Sequence, residues 1–423
     1  MHVRTPPRVK RKDLLKSLHE RVYRRHGMTR KPLQILLLAL AISISAAGTA
    51  AEADERAAVG AVLPLTGRQA ALGNRALDGI IAGLGLFDGK RGTPVTLRIE
   101  DYGGDPAAAA QAVERLAAGP AVMAVIGPPE ADAAREAARA AQAAQIPLLV
   151  LGPVDLPEGS RDFVFSEHRA DQREALTLAS YAVKDLGLTR LAILYPDNAY
   201  GTAMMNAFRA EAQRLGGKVR RVQPYRTDQT DFSAEIRKLA AVKAPRPPAK
   251  KKGIEAAKPI PPPTLDFEAL YIPDAFPRLR MILPQLAFHD VRGVQLLGTS
   301  LWYSPEGIRR EADVFEGAIL TAPFFAESDK PAVRDFSDTI FGATGREPDY
   351  REALAFDTAR MVGEALRDRN VRDRSSLRDY LRKIEAFEGV TGWVSVSKTG
   401  EMQRKSFILK VEGKTIVDIT PAY

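Results

Sequence analysis

From residue 57 onward, short apolar runs alternate with amphipathic stretches of about 10–15 residues, and that alternation narrows the chain to one broad architecture. A strand is expected at 58–63 (AVGAVL), a helix at 73–87 and a strand at 94–100 (PVTLRIE). Asp105 then caps a helix over 106–117, with Pro106 at its first helical position, where a missing N–H costs nothing. A strand at 122–126, a helix at 132–144 and a strand at 147–151 follow. The rhythm repeats with a helix at 171–186, a strand at 190–195 (RLAILY), a helix at 201–215 and a strand at 218–223. Next come a helix at 231–242, a strand at 269–272, a helix at 276–288, and strands at 294–297 and 317–321. Helices at 331–342, 349–367 and 375–384 lead into a β-rich tail over 392–419. Its turns at Lys398-Thr399-Gly400 and Glu412-Gly413-Lys414 suit an antiparallel hairpin or meander. Strands separated by helices form parallel sheets with right-handed crossovers. Two such series of similar length predict an α/β chain of two doubly wound lobes. Ligands of such sheets sit at the carboxyl ends of the strands, so two lobes facing each other predict one cleft.

Charge first suggests a nucleic-acid binder, because 61 basic residues face 52 acidic ones. Residues 1–53 hold 11 of the basic and 3 of the acidic residues, leaving 50 and 49 for the rest. The folded body is therefore close to neutral, which excludes a phosphate-tracking surface and predicts no nucleic-acid partner. The basic region has its own explanation. Residues 33–42 (LQILLLALAI) form an apolar run after Thr29-Arg30-Lys31, and small residues follow through Ala53. That is the pattern of a secretory signal peptide, cleaved after Ala51 or Ala53, with Met28 at its natural start. The run is shorter than the roughly 20 residues of a membrane span, so no stable span is expected after cleavage. Residues 1–27 read either as a long n-region of that signal or as sequence ahead of the true start at Met28. Cysteine is absent, which excludes disulfides, thiolate metal sites and an acylated N-terminal cysteine. The expected location is the periplasm.

Catalytic patterns do not emerge. His2, His19 and His26 precede the mature chain, and His168 and His289 stand apart from any metal-like spacing. Gly83, Gly85 and Gly89 lie within or at the end of a helical stretch, whereas a phosphate loop must join a strand to a helix start. Neither a Walker motif nor a nucleophile elbow is present, and no cofactor or metal is expected. Residues 243–264 (KAPRPPAKKKGIEAAKPIPPPT) carry no hydrophobic period and read as a disordered insertion in the second lobe.

A series of short landmarks resembles the leucine/isoleucine/valine-binding family of ABC-transporter solute receptors, which are type I periplasmic binding proteins. They are Pro64-Leu65-Thr66-Gly67, Asp101 through Asp105-Pro106, Val125-Ile126-Gly127-Pro128 and Ile146-Pro147-Leu148. Further along come Tyr200-Gly201, Thr230-Asp231-Phe232-Ser233 and Gly389-Val390-Thr391-Gly392. The likeness covers roughly 57–420. It implies a first lobe of 57–166 with 323–388 and a second of 167–322 with 389–423. Three hinge crossovers would then lie near 166, 322 and 388. It also implies a non-catalytic receptor that closes over a small ligand and serves an ABC permease.

The pocket departs from the family's pattern. Where the resemblance implies a serine after the Gly-Pro turn, the chain reads Pro128-Pro129-Glu130. Where it implies a threonine after the next strand, the chain reads Gly152-Pro153-Val154-Asp155. Pro129 and Pro153 each remove a possible N–H donor. An acid implied across the cleft is replaced by Gly298-Thr299-Ser300. Thr66, Glu130, Asp155, Tyr200, Asp274, Thr299, Ser300 and Trp302 are the candidate ligand contacts. Glu130, Asp155 and Asp274 oppose a ligand carboxylate, so a cationic or polyhydroxy ligand suits the site better than a zwitterionic amino acid. A second reading stands beside the receptor. Asp266 through Asp274 and Leu297 through Trp302 also resemble the penicillin-binding-protein activators, regulators whose partner would be a peptidoglycan synthase.

Overall fold

The structure, a computed structural model, describes residues 57–87, 95–154, 161–167, 170–240 and 265–421. The leader at 1–53, the insertion at 243–264, Gly89, Asp155 and His168 lie outside the described residues.

The chain divides into two compact units. The first comprises the described residues up to Ser166 together with Arg334–Ile384 and Val396–Glu401, and the second comprises Glu167–Val333, Glu385–Ser395 and the chain from Met402. The chain therefore changes unit five times, after residues 166, 333, 384, 395 and 401. Crossings were expected near 166, 322 and 388. The extra pair arises because the turn after Ser395 belongs to the first unit. There Val396 donates to the Ile384 carbonyl (2.8 Å), and Ser166 donates to the Gly400 carbonyl (3.2 Å).

In the first unit, β1 (Ala57–Leu63), β2 (Val95–Asp101), β3 (Val122–Ile126), β4 (Leu148–Pro153) and β5 (Val164–Glu167) form a sheet in the order β2-β1-β3-β4-β5. β1 runs parallel to both β2 and β3, and β3 parallel to β4. Alternate residues of a strand face opposite sides, so a sheet covered on both faces needs apolar side chains at every position. β1 meets that demand: Ala58 and Val62 pack under helices Pro106–Ala117 and Ala131–Ala143, while Val59 and Ala61 are equally buried on the other side. Helix Ala70–Gly83 packs along helix Tyr350–Ala365, and glycines allow the close approach. A Cβ on Gly79 would stand 2.3 Å from the Glu352 carbonyl oxygen, and one on Gly83 would stand 2.4 Å from that of Phe356. Gly83 thus serves helix packing. The helix begins at Ala70, earlier than the expected 73, and stops short of 87 because Gly85 turns out of it at φ +70°.

In the second unit, β6 (Arg190–Pro196), β7 (Lys218–Tyr225), β8 (Ala269–Ile272), β9 (Gln295–Gly298) and β10 (Ile319–Ala322) form the parallel core of a seven-stranded sheet. Three further strands, β11 (Phe387–Gly389), β12 (Gly392–Val396) and β13 (Met402–Arg404), make a small sheet of their own. β14 (Phe407–Glu412) and β15 (Thr415–Asp418) then add to the large sheet, giving the order β15-β14-β10-β9-β8-β6-β7. β14 pairs antiparallel with β10 and with β15, and the expected hairpin turns at Gly413 (φ +58°). Phe208 stacks on Tyr271 at 4.2 Å beneath this sheet. Arg404 forms a buried ion pair with Glu167 and donates to the Thr391 hydroxyl (2.9 Å), tying together three segments that follow unit crossings. Among the described residues, no helix is long and apolar enough to cross a membrane.

Candidate functional site

Both sheets have the order 2-1-3-4-5 in their parallel part, so each has a switch point where consecutive connections leave in opposite directions: between β1 and β3, and between β6 and β8. The loops at the carboxyl ends of these strands carry the candidate residues.

In the first unit, Thr66 follows β1 and Asp101 ends β2. The Thr66 hydroxyl donates to Asp101 Oδ2 (2.7 Å). The N–H groups of Leu65 (2.8 Å), Thr66 (3.3 Å) and Gly103 (2.9 Å) all donate to Oδ1. Burial alone would raise the Asp101 pKa. These four donors outweigh it and hold the carboxyl below its ordinary value, so it stays ionised. Beside it, buried Tyr102 donates its hydroxyl to Glu130 Oε2. Burial and the neighbouring Glu130 carboxylate push that phenol well above its ordinary range. Glu130 Oε1 is buried and has no hydrogen-bond partner among the described residues. The turn that delivers Glu130 requires glycine. Gly127 sits at φ +108°, and a Cβ there would lie 2.2 Å from the Val62 carbonyl oxygen.

In the second unit, Tyr200 lies in the first turn of helix Ala199–Arg214, whose N-cap Asn198 accepts from the Gly201 N–H (2.7 Å). Its hydroxyl is 3.4 Å from the Thr299 hydroxyl. The structure brings these two together. Ser300 instead meets Glu174, from helix Ala170–Ser180: its N–H and its hydroxyl each donate to that carboxylate at 2.7 Å. The Thr321 hydroxyl donates to the same group (2.9 Å). The hydroxyl of fully buried Tyr271, on β8 near Tyr200 and Glu174, has no hydrogen-bond partner among the described residues.

Three candidate contacts need correction. Trp302 is a core residue: it is 0 % exposed, its indole N–H donates to the Ile272 carbonyl (2.9 Å), and its ring lies on Gly298, where a Cβ would come within 2.1 Å. Thr299 is likewise 0 % exposed, so its hydroxyl serves Tyr200 inside the unit. Asp274 accepts from the buried Tyr225 hydroxyl and from the Ala275 N–H (2.7 Å), with Arg278 4.0 Å away. Its carboxylate is committed to its own fold. Sequence reasoning missed Glu174, Tyr102 and Tyr225 as partners. Tyr102 was within reach, because it directly follows the Asp101 landmark. Glu174 had no signal at all, being one acid on an amphipathic helix.

Set beside known proteins, residues 57–415 match the profile of the periplasmic binding protein family, and the chain belongs to that family. Its members bind rather than convert, so the protein is not an enzyme. A curated relative, Leu/Ile/Val-binding protein homolog 3 of Brucella melitensis, is 24 % identical over 222 residues, half of this chain. The match spans 59 % of that relative's length. Among solved structures, a protein of Rhodospirillum rubrum assigned provisionally as a branched-chain amino acid ABC transporter aligns with a TM-score of 0.72 at 22 % identity. That alignment covers 86 % of this chain and all of the other. An ABC transporter substrate-binding protein from Sphaerobacter thermophilus gives 0.61 at 20 % identity, over 86 % and 97 % of the two chains. The substrate binding protein of a Streptococcus pneumoniae branched-chain amino acid transporter, solved with isoleucine, gives 0.52 at 20 % identity, over 86 % and 100 %. Likeness at these identities establishes the fold.

Proposed function

We propose that this protein is a periplasmic solute receptor of the leucine-binding type, exported by the signal at 28–53, which hands a small ligand to an ABC permease. The family match running through both units, from residue 57 to residue 415, carries this reading. The names of the relatives, a Leu/Ile/Val-binding protein homolog and two transporter substrate-binding proteins, one of them of an ABC transporter, support it. In this reading the candidate ligand contacts are Thr66 and Glu130 in the first unit and Tyr200 and Ser300 in the second, with Asp155 as a further one. The test is a thermal-shift screen of protein recovered from the periplasm against amino acids, amines, sugars, amides and peptidoglycan fragments. A ligand at about 100 times its dissociation constant adds roughly 2.7 kcal/mol to the native state, well within detection. A flat response to every class would overturn the receptor.

One observation favours a second reading. Asp274, Thr299 and Trp302 are already satisfied by their own fold, as expected of a regulator whose ligand site has lapsed. In that case the partner is an envelope protein such as a peptidoglycan synthase, and a pull-down from envelope extract recovers it while the screen stays flat.

A further inference from the structure

β2 is the outermost strand of the first unit's sheet, with no strand beyond it among the described residues. Just past its end, the Tyr102 N–H donates to the Leu63 carbonyl on β1 (3.2 Å). Along a strand, the N–H and C=O of one residue point to the same side, and those of the next residue to the other. The register with β1 is regular, so counting back from Tyr102 turns the groups of Thr96, Arg98 and Glu100 toward β1. Those of Leu97, Ile99 and Asp101 face outward. Ile99, at the middle of that row, is 46 % exposed, and Arg98 beside it is exposed as well. An open edge of this kind recruits another strand unless charge, proline or cover prevents it.

Other edges of the molecule are protected. β5, at the far side of the same sheet, is buried throughout. β7, an edge of the second unit's sheet, carries Lys218, Arg220 and Arg221 and no acid, and its Pro224 lacks an N–H. Two copies of β7 therefore gain no opposite-charge pair in any register. β2 carries both signs, with Arg98 and Glu100 flanking Ile99. A second copy related by a two-fold axis across the edge runs antiparallel and sets one residue of β2 opposite itself. Centring on Arg98 or on Glu100 brings like charges face to face, and centring on Leu97 leaves both without an opposite charge. Centring on Ile99 sets each Arg98 opposite Glu100 of the second copy and packs the two Ile99 side chains together. The same register suits the backbone, because Ile99 then exchanges hydrogen bonds with Ile99, and Leu97 with Asp101, through the groups that face outward. Glu100 already accepts from Arg115 through Oε2 (2.7 Å), which leaves Oε1 for Arg98. The Asp101 carboxylate is held by its own loop and does not oppose the pairing.

We propose that β2 is a self-association edge: two copies of this chain pair antiparallel through β2 about Ile99, joining their first-unit sheets into one.

Sedimentation velocity of the full chain recovered from cells, over about 1–200 μM, tests this, because dimerisation follows mass action. A concentration-dependent dimer is expected, and a chain that stays monomeric at the top of that range overturns the proposal. Ile99→Lys sets two like charges on the axis and should weaken the dimer about tenfold or more, with little effect on melting because the site is half exposed. Arg98→Glu and Glu100→Arg each turn both ion pairs into repulsions, and each should weaken the dimer by about the same factor. The two together restore opposite charges, so the double variant should dimerise at least about threefold more tightly than either single one. A dimer indifferent to Ile99→Lys, or single reversals that the double variant does not rescue, place the contact elsewhere and overturn the proposal. Should a variant fail to fold, residue-resolved hydrogen exchange on the native chain decides. On concentration, the Leu97, Ile99 and Asp101 amides should slow by about tenfold or more, while those of Thr96, Arg98 and Glu100, already bonded to β1, keep their rates. Equal slowing of both sets, or of neither, overturns the proposal.

Discussion

The carboxyl edges of the two sheets solve the same topological problem with different materials. In the first unit, the polar groups come from loops next to one another: Thr66 and Gly103 close on Asp101, and Tyr102 reaches Glu130 across the neighbouring connection. In the second, they are drawn into the body of the unit. Trp302 turns down onto Gly298, Tyr225 is buried against Asp274, and Glu174 arrives from a helix 126 positions before Ser300. Loop-borne pairs can rearrange around a ligand at small cost, because their backbone is only partly packed. A site built into the core is stiff, and changing it costs stability first. On that contrast the first unit is expected to be the adaptable half and the second the scaffold.

The sharpest way to break that contrast is Trp302→Ala. If Trp302 is core, its loss leaves a cavity and costs about 3–5 kcal/mol, and the Ile272 carbonyl keeps only the Asp274 N–H (3.0 Å) of its two donors. Both tryptophans, Trp302 and Trp393, belong to the second unit, so the remaining Trp393 fluorescence reports that unit's unfolding in urea. The midpoint should fall sharply. A variant of unchanged midpoint with lost ligand binding would instead put Trp302 on the ligand and undo the comparison.

Glu174→Ala ranks next. It leaves the Ser300 N–H and two hydroxyls without their acceptor, at an expected cost of about 2 kcal/mol. Trp393 and Trp302 fluorescence should again shift to lower urea. Far-UV circular dichroism, which sees both units, should then show a second unit melting ahead of the first. Coincident, unshifted transitions would mean that Glu174 is dispensable to the scaffold.

Much of this was legible in the sequence, and the gaps have physical causes. The parallel strands were readable because a sheet covered on both faces demands unbroken apolar runs such as Ala57–Leu63, which helices of that length do not show. β5 (Val164–Glu167) escaped notice, because four residues are too few to display a strand's alternation. The short helical turns at Ser300–Trp302, Pro305–Arg310 and Ala312–Phe315 were also missed, since three to six residues cannot display a helical period. The site was half legible. Thr66 and Glu130 followed from their place after strand ends. Trp302 did not, because an aromatic after a strand can face a ligand or fold back, and only the bare backbone of Gly298 decides which. Nor could hydroxyl polarity be read, since it depends on acids such as Glu174 that lie far away in sequence.

Acid sharpens the comparison from the other side. Asp101 has a folded pKa below its ordinary value of 3.8, so it binds fewer protons in the folded than in the unfolded state on acidification. Its stabilisation is complete above pH 3.8 and is lost as pH falls through the lower, folded value. The native chain should therefore lose stability more steeply below that point than Asp101→Asn, a variant itself about 1 kcal/mol weaker near neutrality. The loss should appear in circular dichroism and not in tryptophan fluorescence, because Asp101 belongs to the first unit. Parallel acid profiles for the two proteins would show that Asp101 does not anchor the edge.

Thr66→Val is the smallest change and the most selective. Valine keeps the shape of threonine and removes the one hydroxyl that Asp101 holds, while the Leu65, Thr66 and Gly103 N–H groups still reach that carboxylate. The cost to stability should be about 0.5–1 kcal/mol, near the lower limit of a urea melt, because three of four donors survive. Ligand affinity is the more telling readout. If the Thr66 oxygen accepts from the ligand, its removal should weaken binding severalfold at nearly constant stability. Changes in the second unit should reverse that balance and lower stability before affinity. Equal losses of stability and affinity at Thr66 would make the first unit as stiff as the second, and the distinction between an adaptable half and a scaffold would no longer hold.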